Sequence, residues 1–185
     1  MFAKTKGPFA RPSLLSRFTR GPRDRERLQP LYRAIVAQAR LPIWYRDGQV
    51  PDTLDGRFDM LAACMAIVLL RLEAEDGDEP KQAASLVTEL FVADMDESLH
   101  QIGIGDYVVG KHVGKMMGAL GGRLTVFRQA AADGDYQGPV RRNIYHDAPP
   151  ADAIVALVVG GLERFAVALR SVGLADLIAG KLPTA

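Results

Sequence analysis

GDYVVGKHVGKMMGAL, residues 105–120, is the stretch on which the fold turns. Its first eight residues read G-x-x-x-x-G-K-H, one residue away from a phosphate-binding loop, which ends in Gly-Lys followed by Ser or Thr. A true loop of that kind follows a buried hydrophobic strand and hands its lysine and hydroxyl to a helix N-terminus. Here the preceding segment is DMDESLHQIGI (94–104), acidic and helical in pattern, and His112 stands where the magnesium-binding hydroxyl belongs. The nucleotide reading therefore fails. A helical reading accounts for the same residues. Gly110, Gly114 and Gly118 recur every four positions and form one strip, with Val109, Val113, Met116, Met117 and Leu120 on one side and Lys111 and Lys115 on the other. Each helical glycine costs about 1 kcal/mol relative to alanine, so three in one strip need a reason. Close approach of another backbone is the usual one. Either a neighbouring helix of the same domain packs there, or the strip is a shallow groove for a partner segment, rimmed by lysines.

Working outward, helical periodicity continues in both directions. LYRAIVAQA (31–39) places Leu31, Tyr32, Ile35, Val36 and Ala39 on one face, and Pro42 ends it. IWYRDGQVPD (43–52) reads as a loop carrying Trp44 and Tyr45 between turn signals. Asp52 is the expected cap of the next helix, with Asp55 in its first turn. MLAACMAIVLL (60–70) is apolar on every face, but a membrane-spanning helix needs about 20 residues, and Asp59 and Arg71 bracket this run. It reads as a core helix. EAEDGDE (73–79) is an acidic linker, Pro80 opens a third helix, and Gly103 and Gly105 separate it from the fourth near Asp106. RLTVFRQAAAD continues that helix, VRRNIYHD is short, and ADAIVALVVGGLERFAVALRSV is the last long one before GLADLIAG. No alternating run makes a strand. The expected architecture is all-α, a single domain of six to eight helices over residues 29–185, preceded by a basic tail at 1–28.

Charge sharpens that division. Residues 1–33 hold nine Lys or Arg against Asp24 and Glu26, whereas the other 152 residues carry a net charge of −6. A basic start without a sustained apolar stripe reads as a mobile tail, and as an anchor for anionic lipid or RNA. It lacks the apolar core of a secretory signal; being Arg-rich and acid-poor, it also allows an organellar targeting sequence. The single cysteine, Cys64, excludes an intrachain disulfide and disfavours a cysteine-based zinc site.

Other chemistry is sparse. Glu97-x-x-His100, with Asp94 and Asp96 beside it, is half of a di-iron carboxylate pattern, which needs a second such motif and two further glutamates. Those ligands are missing, so no metal or cofactor is expected, and no motif surrounds a serine nucleophile. The protein is read as a non-enzyme. Trp44, Tyr45, Met116 and Met117 are candidates for an adaptable apolar surface, methionine being suited to varied shapes, with ordinary core packing as the alternative for the two aromatics.

VPDTLDGRFDM (50–60), DMDESL (94–99) and GIGDYVVGKHVGKM (103–116), followed by Gly122-Arg123, resemble the ubiquinol–cytochrome c chaperone family over roughly residues 29–172. The chain departs from many members at His100-Gln101 and near Gly121. The resemblance implies an assembly factor for ubiquinol–cytochrome c reductase that binds newly made cytochrome b. It also implies a partner chaperone and ribosomal contact in mitochondrial members. It suggests a bacterial cytoplasmic protein, peripheral at the inner membrane, with the mitochondrial matrix as the alternative; DNA is not an expected partner. Gly110, Lys111, Gly114, Lys115, Met116, Met117 and Gly118, with Trp44 and Tyr45, are the expected partner-binding residues. Pro51, Asp52, Thr53, Asp55, Gly56, Arg57, Phe58, Asp94, Asp96, Gly103, Gly105 and Asp106 are expected to be structural parts of the motifs. Two rivals stand beside this reading. A polar pocket converging on Asp94, Asp96, His100 and Lys111 would mark an enzyme, and a folded basic face would mark an RNA- or ribosome-binding module.

Overall fold

The computed structural model describes residues 22–101, 106–146 and 148–184. The apolar run at 60–70 organises everything else. It forms most of α2 (Leu54–Glu73), a helix with no polar stripe, which must therefore be surrounded. Its neighbours are α1 (Pro22–Ala39), α3 (Asp78–Gln101), α4 (Asp106–Asp133) and α6 (Asp152–Leu169), all of which pack against it. Met60, Ala62, Ala63, Cys64, Met65 and Ala66 are each 0% exposed. Two short helices, α5 (Gln137–Val140) and α7 (Leu174–Ile178), complete the set, with no strand among the described residues. No described helix is long and apolar enough to cross a membrane.

Local chemistry fixes the ends of α2. Thr53, not Asp52, caps it: the Thr53 hydroxyl accepts from the Gly56 amide at 3.2 Å. Asp52 instead takes the Arg57 guanidinium at 2.6 Å. A β-carbon at Gly56 would lie 2.0 Å from the Pro51 carbonyl oxygen, so only glycine fits where the chain turns into the helix. At the other end, Arg71 donates to the carbonyls of Leu169 and Val172, at 3.0 and 2.9 Å. It thereby satisfies the open C-terminal end of α6.

The loop expected at 43–52 and the short segment after Val140 each contain a π turn, Ile43–Asp47 and Arg141–Tyr145. They are joined by the Tyr145 hydroxyl, which donates to the Gly48 carbonyl. Part of the expected basic tail is helical. Residues 22–28 form the first turns of α1, and Leu28 is buried in the core. Residues 1–21 lie outside the described part.

Candidate functional site

Trp44 belongs to the core, the alternative left open by the sequence, and this corrects its expected role as a partner contact. Its ring is 1% exposed, Nε1–H donates to the Gln38 carbonyl at 2.8 Å, and a β-carbon at Gly161 would lie 2.6 Å from the indole. A large aromatic next to a small residue on the facing helix is ordinary close packing. Tyr45 is half-buried beside it and donates to the Ala39 carbonyl at 2.8 Å.

The glycine strip behaves differently. Gly114, Gly118, Gly121 and Gly122 are exposed, and a β-carbon built on any of them meets nothing within 4 Å. No helix of the described domain packs there. The side of α4 turned to the core is made by Leu120, Arg123, Phe127 and Ala130. The opposite side is a nearly bare backbone ridge of glycines with Lys115 beside it. Gly110 continues this helix; Gly103 and Gly105 lie outside the described residues, as do the side chains of Asp106, Lys111 and His100.

Met117 is half-buried at the edge of the ridge, whereas Met116, one turn before Leu120, is half-buried on the core-facing side. Met116 is also one wall of a cavity of about 130 Å³ enclosed by α1, α2, α3 and α4. Ala39, Leu61 and Met95 form its buried apolar lining, joined by Val36, Phe58 and Met116. Its polar members are Arg40, Arg57, Asp94 and Ser98, and Leu54, 51% exposed, stands beside them. Asp94 accepts from the Tyr32 hydroxyl at 2.6 Å. Burial, with Asp94 adding to it, pushes the Tyr32 phenol far above its usual range, so the phenol remains a donor. The motif PDTLDGRF thus serves two purposes. Pro51, Asp52, Thr53 and Gly56 build the start of α2, with Asp55 exposed in its first turn, while Arg57 and Phe58 reach the cavity.

Behind Phe58 lies a buried polar cluster. The Arg123 guanidinium stacks 5.4 Å from the Phe58 ring centre, donates to the Asn143 carbonyl at 3.2 Å and pairs with Asp59. His146 Nε2 lies 2.7 Å from the other Asp59 oxygen. Burial pushes the Asp59 carboxyl up, opposed by His146 and Arg123, and burial pushes Arg123 down against the pull of Asp59. Of this cluster, sequence reasoning used Asp59 only to bound an apolar run and Arg123 only as a motif end. A signal was available: an acid directly abutting a helix segment without a polar stripe has no solvent-facing row to join. Among the described residues, no group of three or more His, Cys, Asp or Glu is placed to hold a metal ion.

Residues 46–185 match the ubiquinol–cytochrome C chaperone family. The chain belongs to that family. It is also similar to the crystal structure of the Cbp3 homolog from Brucella abortus. The two are 27% identical with a TM-score of 0.76, covering 93% of this chain and 96% of that one. No curated protein matches the chain. In this family member, α4 turns Met116 toward the cavity and its glycine ridge to the opposite side.

Proposed function

We propose that the protein is an assembly chaperone for ubiquinol–cytochrome c reductase that holds newly made, unassembled cytochrome b. The observation that carries this reading is the exposed glycine ridge of α4, which meets nothing within its own domain. Glycines at an exposed helix face cost stability and gain nothing internally. They allow a second helix to approach backbone to backbone, the packing mode that membrane helices use among themselves. A client membrane helix awaiting its partners presents that kind of surface. Met117, half-buried at the edge of the ridge, supplies an adaptable apolar contact beside it.

The functional demand is to cover and release, and the ridge, the recess and the family membership all support a holding role without catalysis. The recess beside Asp94 is lined mainly by apolar side chains, which suits a bound apolar segment. Among the described residues, Arg46, Arg57, Arg71, Arg123, Arg128 and Arg141 each pair with a carboxylate, which weakens the positive potential that RNA would need there. Contact with anionic membrane or ribosome falls instead to the basic residues of 1–21, and a partner chaperone would complete the holding complex. The site of action is the cytoplasmic face of a bacterial inner membrane, with the mitochondrial matrix as the alternative.

Affinity capture from cells making cytochrome b tests the proposal. Cytochrome b should be enriched when its assembly partners are withheld and lost once the reductase is complete. Capture that never contains cytochrome b, together with normal reductase levels in cells lacking the protein, would refute it.

A further inference from the structure

We propose that the outer face of α6 is the contact through which two copies of this chain pair as an antiparallel, two-fold dimer. The pairing does not rest on the holding role, and its test needs no client.

Composition marks the face. In its 18 residues α6 carries only three charged or polar side chains, Asp152, Glu163 and Arg164. Val155, Val158, Leu162, Phe165 and Leu169 are buried on its core side. A surface helix ordinarily sets polar residues on the side opposite. Here that side runs through Ala153, Ala156, Gly160 and Val167, spaced by three, four and seven, the seam of one helix laid along another. Ala153 and Ala156 are exposed, and Val167, at 60%, is the most exposed large apolar residue among the described ones. Glu163 and Arg164 stand on the two edges of the seam and leave its middle neutral.

Charge and shape choose the occupant. Asp152, its side chain 88% exposed, stands at the N-terminal end of the seam. Arg170 stands just past the other end, exposed and without an ion pair among the described residues. A second copy laid parallel would set like beside like, Asp152 by Asp152, Arg170 by Arg170 and Val167 on Val167. Laid antiparallel about an axis near Gly160, it sets Asp152 beside Arg170 at both ends, and Val167 over Ala153 and Ala156, large against small. The two helix dipoles then also oppose each other. Asp152 already takes Arg141 of its own chain on one oxygen, and its second oxygen faces solvent, open to Arg170 of the other copy. Gly160 at the crossing lets the backbones approach. Arg164 lies back along it, its Nη1 3.2 Å from where a β-carbon would stand. That side chain is exposed, makes no ion pair among the described residues, and turns to the rim when the copies meet. A contact of one patch with itself closes at two copies. A single helix pair falls below the about 1,200 Å² of a standard interface, so the dimer is weak and forms at micromolar concentrations and above. The seam shares no residue with the glycine ridge or the recess, so pairing uses neither.

The experiment uses the full chain, followed by sedimentation velocity at rising concentration into the high micromolar range. The mass should climb from the 20.1 kDa of one chain toward twice that. Val167→Lys changes an exposed side chain, so it should leave helicity intact and weaken association at least about tenfold. Arg170→Asp should weaken it about fivefold, the size of one exposed ion pair, and adding Asp152→Arg should restore it. Cross-linking reads the geometry. Gly160→Cys, whose β-carbon meets only the far end of the Arg164 side chain, should couple with itself under mild oxidation. Ala153→Cys should couple with Val167→Cys and not with itself, while the native Cys64 is buried and stays out of the reaction. Should Gly160→Cys not fold, the mass of the unaltered chain and the coupling between 153 and 167 still decide the matter. A chain that stays single throughout, association that Val167→Lys leaves unchanged, or Ala153→Cys chains that couple to each other would each overturn the pair. In the first case, loss of cytochrome b capture by folded Val167→Lys would hand the face to the client instead.

Discussion

Asp59 and Arg123, 64 positions apart in the chain, form an ion pair whose side chains are only 5% and 8% exposed. A buried pair of this kind costs much of its Coulombic gain in lost hydration, and removing one partner leaves the other charge stranded. Arg123→Met should therefore cost about 3–5 kcal/mol of stability. Burial already pushes the Asp59 carboxyl up, and losing Arg123 pushes it further. A raised carboxylate binds its proton more tightly in the folded state than in the unfolded one, so stability falls as pH rises through its folded pKa. The variant should accordingly lose most near neutrality and recover toward pH values around the ordinary carboxylate range, about 4. Urea unfolding at both ends of that range checks this. Adding Asp59→Leu should return much of the loss, and a double variant as weak as the single one would show that packing, not charge, is at stake.

The alkaline side follows from four buried acids. Burial pushes Tyr45 and Tyr145 up to about 12, and Cys64 likewise to about 12, while Tyr32 is raised further with the help of Asp94. In the unfolded chain phenols lose their protons near pH 10 and the thiol near 8.5, about the ordinary values. The stability these groups contribute is complete below those pH values and is lost as pH climbs through the folded ones, because the unfolded state releases protons first. In a Tyr107→Phe variant, phenolate absorbance should thus rise together with loss of helicity rather than before it. Phenolate formation near pH 10 in that variant while it is fully helical would contradict this.

Much of the fold was legible because its decisive signals are local. A run of apolar residues from Met60 to Leu70 is too short for a bilayer and too uniformly apolar for a surface helix, which leaves only the centre of a helical domain. Trp44 was legible only as one of two alternatives, core or surface, since its neighbours Arg46, Asp47 and Gly48 look like an exposed turn. What buries it is Gly161, more than a hundred residues away, whose missing side chain makes room for the ring. The cap of α2 was misplaced by one residue for a similar reason: Asp52 and Thr53 both suit the position, and the ion pair with Arg57 draws Asp52 away. The cavity needs one wall from each of four helices, and no spacing within a single segment encodes that.

The basic segment gives a prediction independent of the folded domain. Residues 1–21 contain five Lys or Arg and no acid. Each basic group near an anionic surface contributes about 1 kcal/mol. Removing residues 1–21 should leave the thermal midpoint unchanged, since among the described residues the buried ones begin at Leu28. Co-sedimentation with vesicles of anionic phospholipid should fall at low salt and differ little at high salt. Equal sedimentation with and without the segment would take the membrane role from it.

Two glycines with opposite surroundings test whether the ridge of α4 is for folding or for a partner. At Gly161 an added β-carbon would lie 2.6 Å from the Trp44 ring, so Gly161→Ala should overpack the core and cost about 1–3 kcal/mol. At Gly114 and Gly118 nothing lies within 4 Å. Leucine there relieves the helix of a glycine, and each of Gly114→Leu and Gly118→Leu should raise stability by up to about 1 kcal/mol. If the ridge receives a client helix backbone to backbone, those same stabilised proteins should lose capture of cytochrome b, and assembled reductase should decline with it. Loss of function joined to a gain in stability is the signature of a surface kept smooth for another molecule. Gly161→Ala should show the reverse coupling, with capture falling only as far as folded protein falls. Thermal midpoints measured beside client recovery, all normalised to folded protein, separate the two. A Gly114→Leu protein that is destabilised would place the ridge in the core after all, and one that is stable and captures cytochrome b normally would leave the glycines without a role in either.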